Sequence, residues 1–236
     1  MLAPSVRHLA FVRDDGLPLD FIPGQFIQVH FNYPDGSATK RSYSLATRHD
    51  HALGPGESVD IAVSYVQGGA ATALFTALDE GQQIQASGPY GRFCLAPKDE
   101  NQRYLLIGTG TGVTPYRAML PQLQQIMAQR GTEVLLLFGA RTPAELIYGD
   151  DFRDFADAQP NFRFVPCFSR ELPTATHPDV RKGYVQDALA EFAPNGAVDI
   201  AYLCGNPNMV DIAFEALKAA GLPIPHIRRE KYVSSK

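Results

Sequence analysis

Between residues 96 and 103 the hydrophobic rhythm of this chain changes, and that change constrains the fold more than any other feature. Ahead of it, short segments alternate apolar and polar residues and are rich in β-branched and aromatic side chains: Val6–Val12, then 25–31, 41–47, 59–66 and 82–87. Pro23-Gly24, Pro34-Asp35-Gly36, Gly54-Pro55-Gly56 and Gly88-Pro89 punctuate them, so they read as antiparallel strands joined by turns. A short helix over 71–78 interrupts the strands, directly after Gly68-Gly69. Beyond Arg103 come compact apolar runs at 104–107, 134–138, 163–167 and 200–204. Helical patterns at 115–129, 149–157, 185–192 and 208–220 separate them. Apolar strands alternating with helices imply βαβ units and a parallel sheet covered on both faces. The polar stretch 96–102 is a natural linker. We therefore expect two domains: a β-barrel over 1–97 and a doubly wound α/β domain over 103–236.

Composition excludes several classes. With 236 residues and 45% of them hydrophobic, the chain can bury cores without staples and is neither disordered nor fibrous. A net charge of −4, from 21 Lys+Arg and 25 Asp+Glu, argues against a nucleic-acid binder. No apolar run approaches the ~18 residues of a membrane span. The N-terminal residues lack the uninterrupted apolar stretch of a signal peptide, so a cytoplasmic protein is expected. Cys94, Cys167 and Cys204 are too scattered for a disulfide framework, a metal clip or a four-thiolate iron–sulfur cluster. His8, His30, His49, His51, His177 and His226 show no metal-ligand spacing, so no metal site is expected.

The strongest local signal is Gly108-Thr109-Gly110-Thr111-Gly112-Val113-Thr114-Pro115, placed between a strand and a helix. Glycines at alternate positions let backbone approach an anion, Pro115 suits a first helical turn, and the helix N-terminus favours a pyrophosphate. A glycine-rich turn without a ligand is the competing reading, since the spacing is not GxGxxG and no acidic residue follows at the distance that grips a ribose. Arg141, Arg170, Arg181 and Lys182 lie near the ends of later strands. Each alone reads as surface charge; together they suit the 2′-phosphate of NADP. In Arg41-Ser42-Tyr43-Ser44 a cation, an aromatic face and a hydroxyl follow one another, with Arg41 and Tyr43 on one side of the strand and Ser44 on the other. A polar-decorated strand edge would look the same. Gly68-Gly69-Ala70-Ala71-Thr72 offers a second anion seat, and Cys204-Gly205-Asn206-Pro207 closes the last apolar strand. No activated thiolate and no Ser/His/Asp arrangement is visible, and the polar end 228–236 reads as a frayed tail.

Taken in order, these segments, with Pro23-Gly24-Gln25-Phe26, Gly88-Pro89-Tyr90-Gly91, Phe138-Gly139-Ala140-Arg141 and Ser169-Arg170-Glu171, resemble the ferredoxin–NADP reductase superfamily of flavoproteins. The resemblance implies a six-stranded antiparallel barrel holding FAD and an α/β domain holding NAD(P)H. Arg41 would contact the FAD pyrophosphate, Tyr43 would pack on the isoalloxazine, and Ser44 would hydrogen-bond near its N5. Gly69 and Thr72 would hold FAD phosphate, and Gly110, Thr111 and Thr114 would form the nicotinamide-nucleotide pyrophosphate loop. Cys204 would lie beside the nicotinamide. Ser169, Arg170, Lys182 and Tyr184 look like the pattern that holds a 2′-phosphate and stacks on adenine. Glu230 and Tyr232 keep the Glu-x-Tyr spacing of members whose C-terminal Tyr covers the flavin, although Val233–Lys236 extend past it here. Ser42, Gly68, Arg141, Gly205 and Pro207 complete the candidate cofactor set, and Ser44, Cys204, Glu230 and Tyr232 form the candidate catalytic set.

The expected function is passage of hydride and electrons between NADP(H) and a one-electron carrier, ferredoxin or flavodoxin. Acidic carriers would dock on Lys40, Arg41, Arg48, Arg92, Arg228, Arg229 and Lys231. The alternatives are an NAD(P)H:flavin reductase, the reductase component of an oxygenase, or an electron-relay subunit, whose C-terminal cysteine cluster this chain lacks. A monomer or weak oligomer, without nucleic acid or membrane partners, is expected.

Overall fold

In the computed structural model, which describes residues 1–96, 99–175 and 177–233, the alternating segments form β1 (Val6–Val12), β2 (Phe26–Asn32), β3 (Ala38–Ser44) and β4 (Ser58–Ser64). Helix α1 (Ala70–Ala77) and β5 (Gln85–Tyr90) follow. β1 pairs antiparallel with β4, and β3, β2 and β5 form a second antiparallel sheet. A bridge from Leu45 to Ile61 joins the two sheets, which close over Val29, Leu45, Ile61, Val63 and Phe75. Among the described residues, five strands and a lone Leu19–Leu53 bridge stand where the resemblance implies six strands. Pro18, Pro23 and the Gly54-Pro55-Gly56 turn flank that bridge and stop it from extending.

Two strand positions differ from expectation. β3 begins before residue 41 and ends at Ser44: the Leu45 amide makes a last bond in the β2 register, to the Gln25 carbonyl at 3.0 Å, and the chain then crosses to β4, where the Ala46 amide bonds the Asp60 carbonyl at 2.8 Å. β5 runs through Gly88-Pro89 instead of stopping there, which an edge strand allows because proline's missing N–H costs no ladder bond at the edge.

After residue 102 the chain runs β6 (Arg103–Thr109), α2 (Thr114–Arg130), β7 (Glu133–Ala140), α3 (Gly149–Ala158), β8 (Phe162–Phe168), β9 (Arg181–Lys182), α4 (Val185–Ala188), β10 (Asp199–Gly205), α5 (Pro207–Ala219) and β11 (Ile227–Lys231). These strands form one parallel sheet in the order β11-β10-β6-β7-β8-β9. Leu106, Leu136 and Phe164 face α2 and α3, while Leu105, Leu137 and Val165 face α4 and α5, so the sheet is doubly wound. The first of these cores continues into the barrel through Ala46, Ala62, Phe93 and Leu95. The two lobes therefore share buried apolar surface.

The pattern over 185–192 breaks into one α turn and a 3-10 turn, Leu189–Phe192, ended by Ala193 at φ 42°. Residues 228–231, expected to begin a frayed tail, instead belong to a strand, Ile227–Lys231, paired in parallel with β10. Pro97 and Lys98 of the linker, the boundary at 97, and 234–236 of the tail lie outside the described residues. Among the described residues, no helix is long and apolar enough to cross a membrane, and no cluster of His, Cys, Asp or Glu could hold a metal ion.

Candidate active site

Strand order reverses between β6 and β10, and a crevice opens at their carboxyl ends, where open α/β sheets bind ligands. β6 leads through a 3-10 turn, Gly110–Val113, into α2. A β-carbon on Gly112 would lie 2.3 Å from the Cys204 carbonyl oxygen, so only glycine lets this turn rest on β10. Gly205, at φ 124°, returns the contact: its β-carbon would meet the Thr109 oxygens at 2.6 Å. Gly110, at φ 54°, has open space around it. Thr114 is 1% exposed, and its hydroxyl has no partner at the first turn of α2. The Asn206 side chain accepts from the Asn208 and Met209 amides and caps α5.

These turns border a cleft of ≈ 680 Å³. Of the residues expected in this domain, Gly110, Thr111, Arg141, Ser169, Tyr184, Gly205 and Tyr232 line it; Thr114, Arg170, Lys182, Cys204, Pro207 and Glu230 do not. Asn206 of the Cys204–Pro207 motif also lines it, and sequence reasoning missed Ser64, Gln186 and Asn208, which do so too. Ser64 comes from the barrel and its hydroxyl donates to Thr111 Oγ1 at 3.4 Å, while Gln186 Oε1 is buried without a partner. No sequence motif marks either residue. Parallel pairing of Phe168 with Lys182, and a 2.9 Å bond from the Gly183 amide to the Phe168 carbonyl, bring Ser169-Arg170 beside Lys182–Tyr184. Arg141 is paired with Glu145 at 2.5 Å and Arg181 with Glu191 at 2.8 Å. Arg170 and Lys182 are exposed at this corner.

On the barrel side, Thr39, Arg41 and Tyr43 share the half-buried face of β3, and Ser42 points to the exposed face, away from them. Arg41 donates to Tyr33 Oη and Thr39 Oγ1, both at 2.9 Å. Tyr43 meets Phe75 of α1 edge-on at 5.4 Å, and burial pushes its phenol up to about 12. At the start of α1, Thr72 Oγ1 accepts the Val66 amide at 2.8 Å, and Gly68 holds φ 74° in open space. The Arg41–Tyr43 face and the Gly-Gly turn therefore sit on neighbouring elements.

Between the lobes, four residues from opposite parts of the chain meet. Ser44, 5% exposed, hydrogen-bonds through its hydroxyl to the Tyr232 phenol. The Tyr232 amide donates to the Gly205 carbonyl at 2.9 Å, and parallel register sets Cys204 beside Glu230. Burial pushes the Cys204 thiol and the Tyr232 phenol well above their ordinary values and holds the Glu230 carboxyl at about 6. Cys204 is therefore a neutral thiol and no nucleophile. Glu230 is the one member of the set that exchanges a proton near neutral pH.

The site fits two nucleotide-like groups. Bare backbone at Gly68 and Gly110, an unpartnered hydroxyl at the head of α2, and a cleft within the ~300–1,000 Å³ of ligand sites supply what phosphates and rings need. Two family descriptions match accordingly: an oxidoreductase FAD-binding domain over residues 2–94 and an oxidoreductase NAD-binding domain over 106–215. Ferredoxin–NADP reductase B of Sorangium cellulosum (strain So ce56) is 32% identical over 238 residues, covering 98% of this chain and 93% of that protein. The chain belongs to the ferredoxin reductase-like superfamily. It is a flavoprotein oxidoreductase with FAD- and NAD(P)-binding domains.

This superfamily member is also 36% identical over 220 residues to the reductase subunit of an aromatic O-demethylase from Amycolatopsis sp. (strain ATCC 39116 / 75iv2). That match covers 91% of this chain but spans only 62% of the relative's length. The crystal structure of the Amycolatopsis cytochrome P450 reductase GcoB superposes with a TM-score of 0.81 at 34% identity, over 97% of this chain and 66% of that one. A ferredoxin NADP+ reductase from Neisseria gonorrhoeae shares the fold, with a TM-score of 0.78 at 23% identity, over 98% of this chain and 94% of that one.

Proposed function

We propose that this reductase takes hydride from NADPH and passes electrons singly to a separate carrier, ferredoxin or flavodoxin. The observation that carries the reading is the meeting of Ser44, Cys204, Glu230 and Tyr232 where the two lobes touch. FAD, when bound, supplies the conversion between hydride and single-electron chemistry. The chain supplies position, dryness and protons, through two lobes that we assign to 1–97 and 103–236.

In this reading Arg41, Gly69 and Thr72 hold the FAD phosphates, and Tyr43 packs on its ring. Gly110, Thr111 and the first turn of α2, with the free Thr114 hydroxyl, hold the phosphates of the second nucleotide. Ser169, Arg170 and Lys182 grip the 2′-phosphate, and Tyr184, 59% exposed, offers its face to adenine. Arg141, already paired with Glu145, contributes field rather than a direct bond. The Tyr232 phenol keeps the seam closed until nicotinamide enters. Ser44 keeps a hydroxyl at that point, and Glu230, titrating at about 6, exchanges a proton just below neutral pH. Arg228, Arg229 and Lys231 on the sheet edge, with Lys40, Arg48 and Arg92, suit an acidic carrier.

Similarity to the O-demethylase reductase subunit favours a second reading, the reductase component of an oxygenase. One experiment tests both. The protein is loaded with FAD, titrated anaerobically with NADPH and separately with NADH, and assayed with ferredoxin at rising salt. Flavin bleaching by NADPH in preference to NADH, with ferredoxin turnover that slows as salt rises, is expected. Bleaching without ferredoxin turnover moves the assignment to the oxygenase class, and no uptake of FAD defeats both readings.

A further inference from the structure

A polar contact that binds neither phosphate turn also joins the lobes. Arg117 lies on α2, three residues past Thr114, and its side chain is 16% exposed. Its Nη1 donates to the Ala46 carbonyl at 2.6 Å, two residues past Ser44. Its Nε donates to Asp151 Oδ2 on α3 at 2.5 Å. Asp60 of β4 approaches the same Nη1 to 3.8 Å, and the guanidinium lies 4.6 Å from the centre of the Tyr148 ring. One cation thus ties α2 and α3 of the α/β domain to β4 and the strand end that carries Ser44. Arg117, Ala46, Asp60 and Asp151 do not line the ≈ 680 Å³ cleft, so nucleotide contact does not account for them.

We propose that Arg117 is a positioning residue for hydride transfer, fixing the separation of the two half-sites. This rests on the functional reading above. Helix α2 begins at the turn assigned to NADPH, and Ala46 follows the hydroxyl assigned to the flavin edge. A bond between them transmits any shift of one lobe directly to the reacting rings. Hydride transfer needs the reacting atoms within ~3–3.5 Å, and a misplacement of about 1 Å costs up to roughly a hundredfold in rate. Removing the guanidinium leaves the Ala46 carbonyl, Asp60 and Asp151 without their shared donor, while the contacts within each half-site persist. The loss therefore falls on the transfer step rather than on either binding step.

The test compares wild type, Arg117→Ala, Arg117→Lys and Arg153→Ala, each loaded with FAD, by anaerobic stopped flow over a range of NADPH concentrations. Arg153, 51% exposed and paired with Asp150, is the control for lost surface charge. For Arg117→Ala the limiting rate of flavin reduction is expected to fall about tenfold or more, with NADPH affinity held within about threefold and FAD content unchanged. Arg117→Lys recovers part of the rate, and Arg153→Ala matches wild type. Independently of turnover, hydrogen exchange in Arg117→Ala speeds up at the seam peptides 44–47 and 114–117, while the centre of the parallel sheet exchanges as before. An unchanged limiting rate, a loss confined to NADPH affinity, or faster exchange throughout would overturn the proposal. If Arg117→Ala does not fold, Arg117→Lys and Asp151→Asn decide by the same split between rate and affinity. A wild type that neither nucleotide reduces defeats the functional reading itself, whereas normal reduction of wild type and variant alike defeats only the role of Arg117.

Discussion

A β-carbon on Gly112 would sit 2.3 Å from a backbone oxygen, whereas one on Gly68 would meet nothing within 4 Å. Both glycines stand in turns ahead of a helix, one in each lobe, and both turns are assigned to phosphates. The α/β turn is wedged between two strands and leads a seventeen-residue helix, so its Gly112 is demanded by the scaffold before any ligand arrives. The barrel turn leads an eight-residue helix, and its glycine answers only to a left-handed backbone at φ 74°. The first site is built by packing and the second by local conformation. Substitutions in the two should therefore fail differently.

The largest effect belongs to Gly112→Ala, where the intruding carbon must push apart β10 and the turn. A loss of about 3 kcal/mol or more in denaturant unfolding is expected, and an unaltered midpoint would break the packing account. Next comes Arg170→Ala, beyond the turn itself. It should weaken NADPH binding by about 1.5–3 kcal/mol, the worth of a charged hydrogen bond, and leave NADH binding unchanged. Equal losses for both nucleotides would remove Arg170 from the 2′-phosphate.

At the seam between the two turns, burial holds Glu230 at about 6, above the ordinary 4.5. Folding therefore takes up a proton between those values, and stability falls as pH rises through that window. Glu230→Gln abolishes the cost of the buried charge and should raise stability by about 1–2 kcal/mol at pH 8 and by nothing at pH 4. Thermal unfolding of both proteins across this range checks the sign. The smallest change is expected from Gly68→Ala, about 1 kcal/mol from left-handed strain alone, with FAD uptake retained. A loss as large as that of Gly112→Ala would erase the contrast between the turns.

The lobes also differed in how plainly they could be read in advance. Each central parallel strand is buried on both faces and shows as an unbroken apolar run, so β6, β7, β8 and β10 stand out. β11 hides because Ile227 is its one apolar residue; Arg228, Arg229 and Lys231 are the charged covering of a sheet edge, and Glu230 is a half-buried charge between them. β9 is two residues long, too short for any period to register. In the barrel, Ser42 joins its neighbours in a motif yet points the other way, as strand alternation requires. Contacts between lobes carry no sequence signature: Ser44 and Tyr232 are 188 positions apart, and Arg117 looks like any polar residue on a helix.

The main chain at Tyr232 is pinned to Gly205 by its amide, at the residue that also abuts the dinucleotide turn. In the proposed reading, an aromatic ring anchored in this way would leave Ser44 by torsion about its own side-chain bonds. No backbone would have to melt and reorder, so departure would be a rearrangement of one side chain, held back by its burial and its bond to Ser44, rather than the motion of a loop or lid. Opening the doorway would then disturb one ring and one hydroxyl while β11 stays paired with β10.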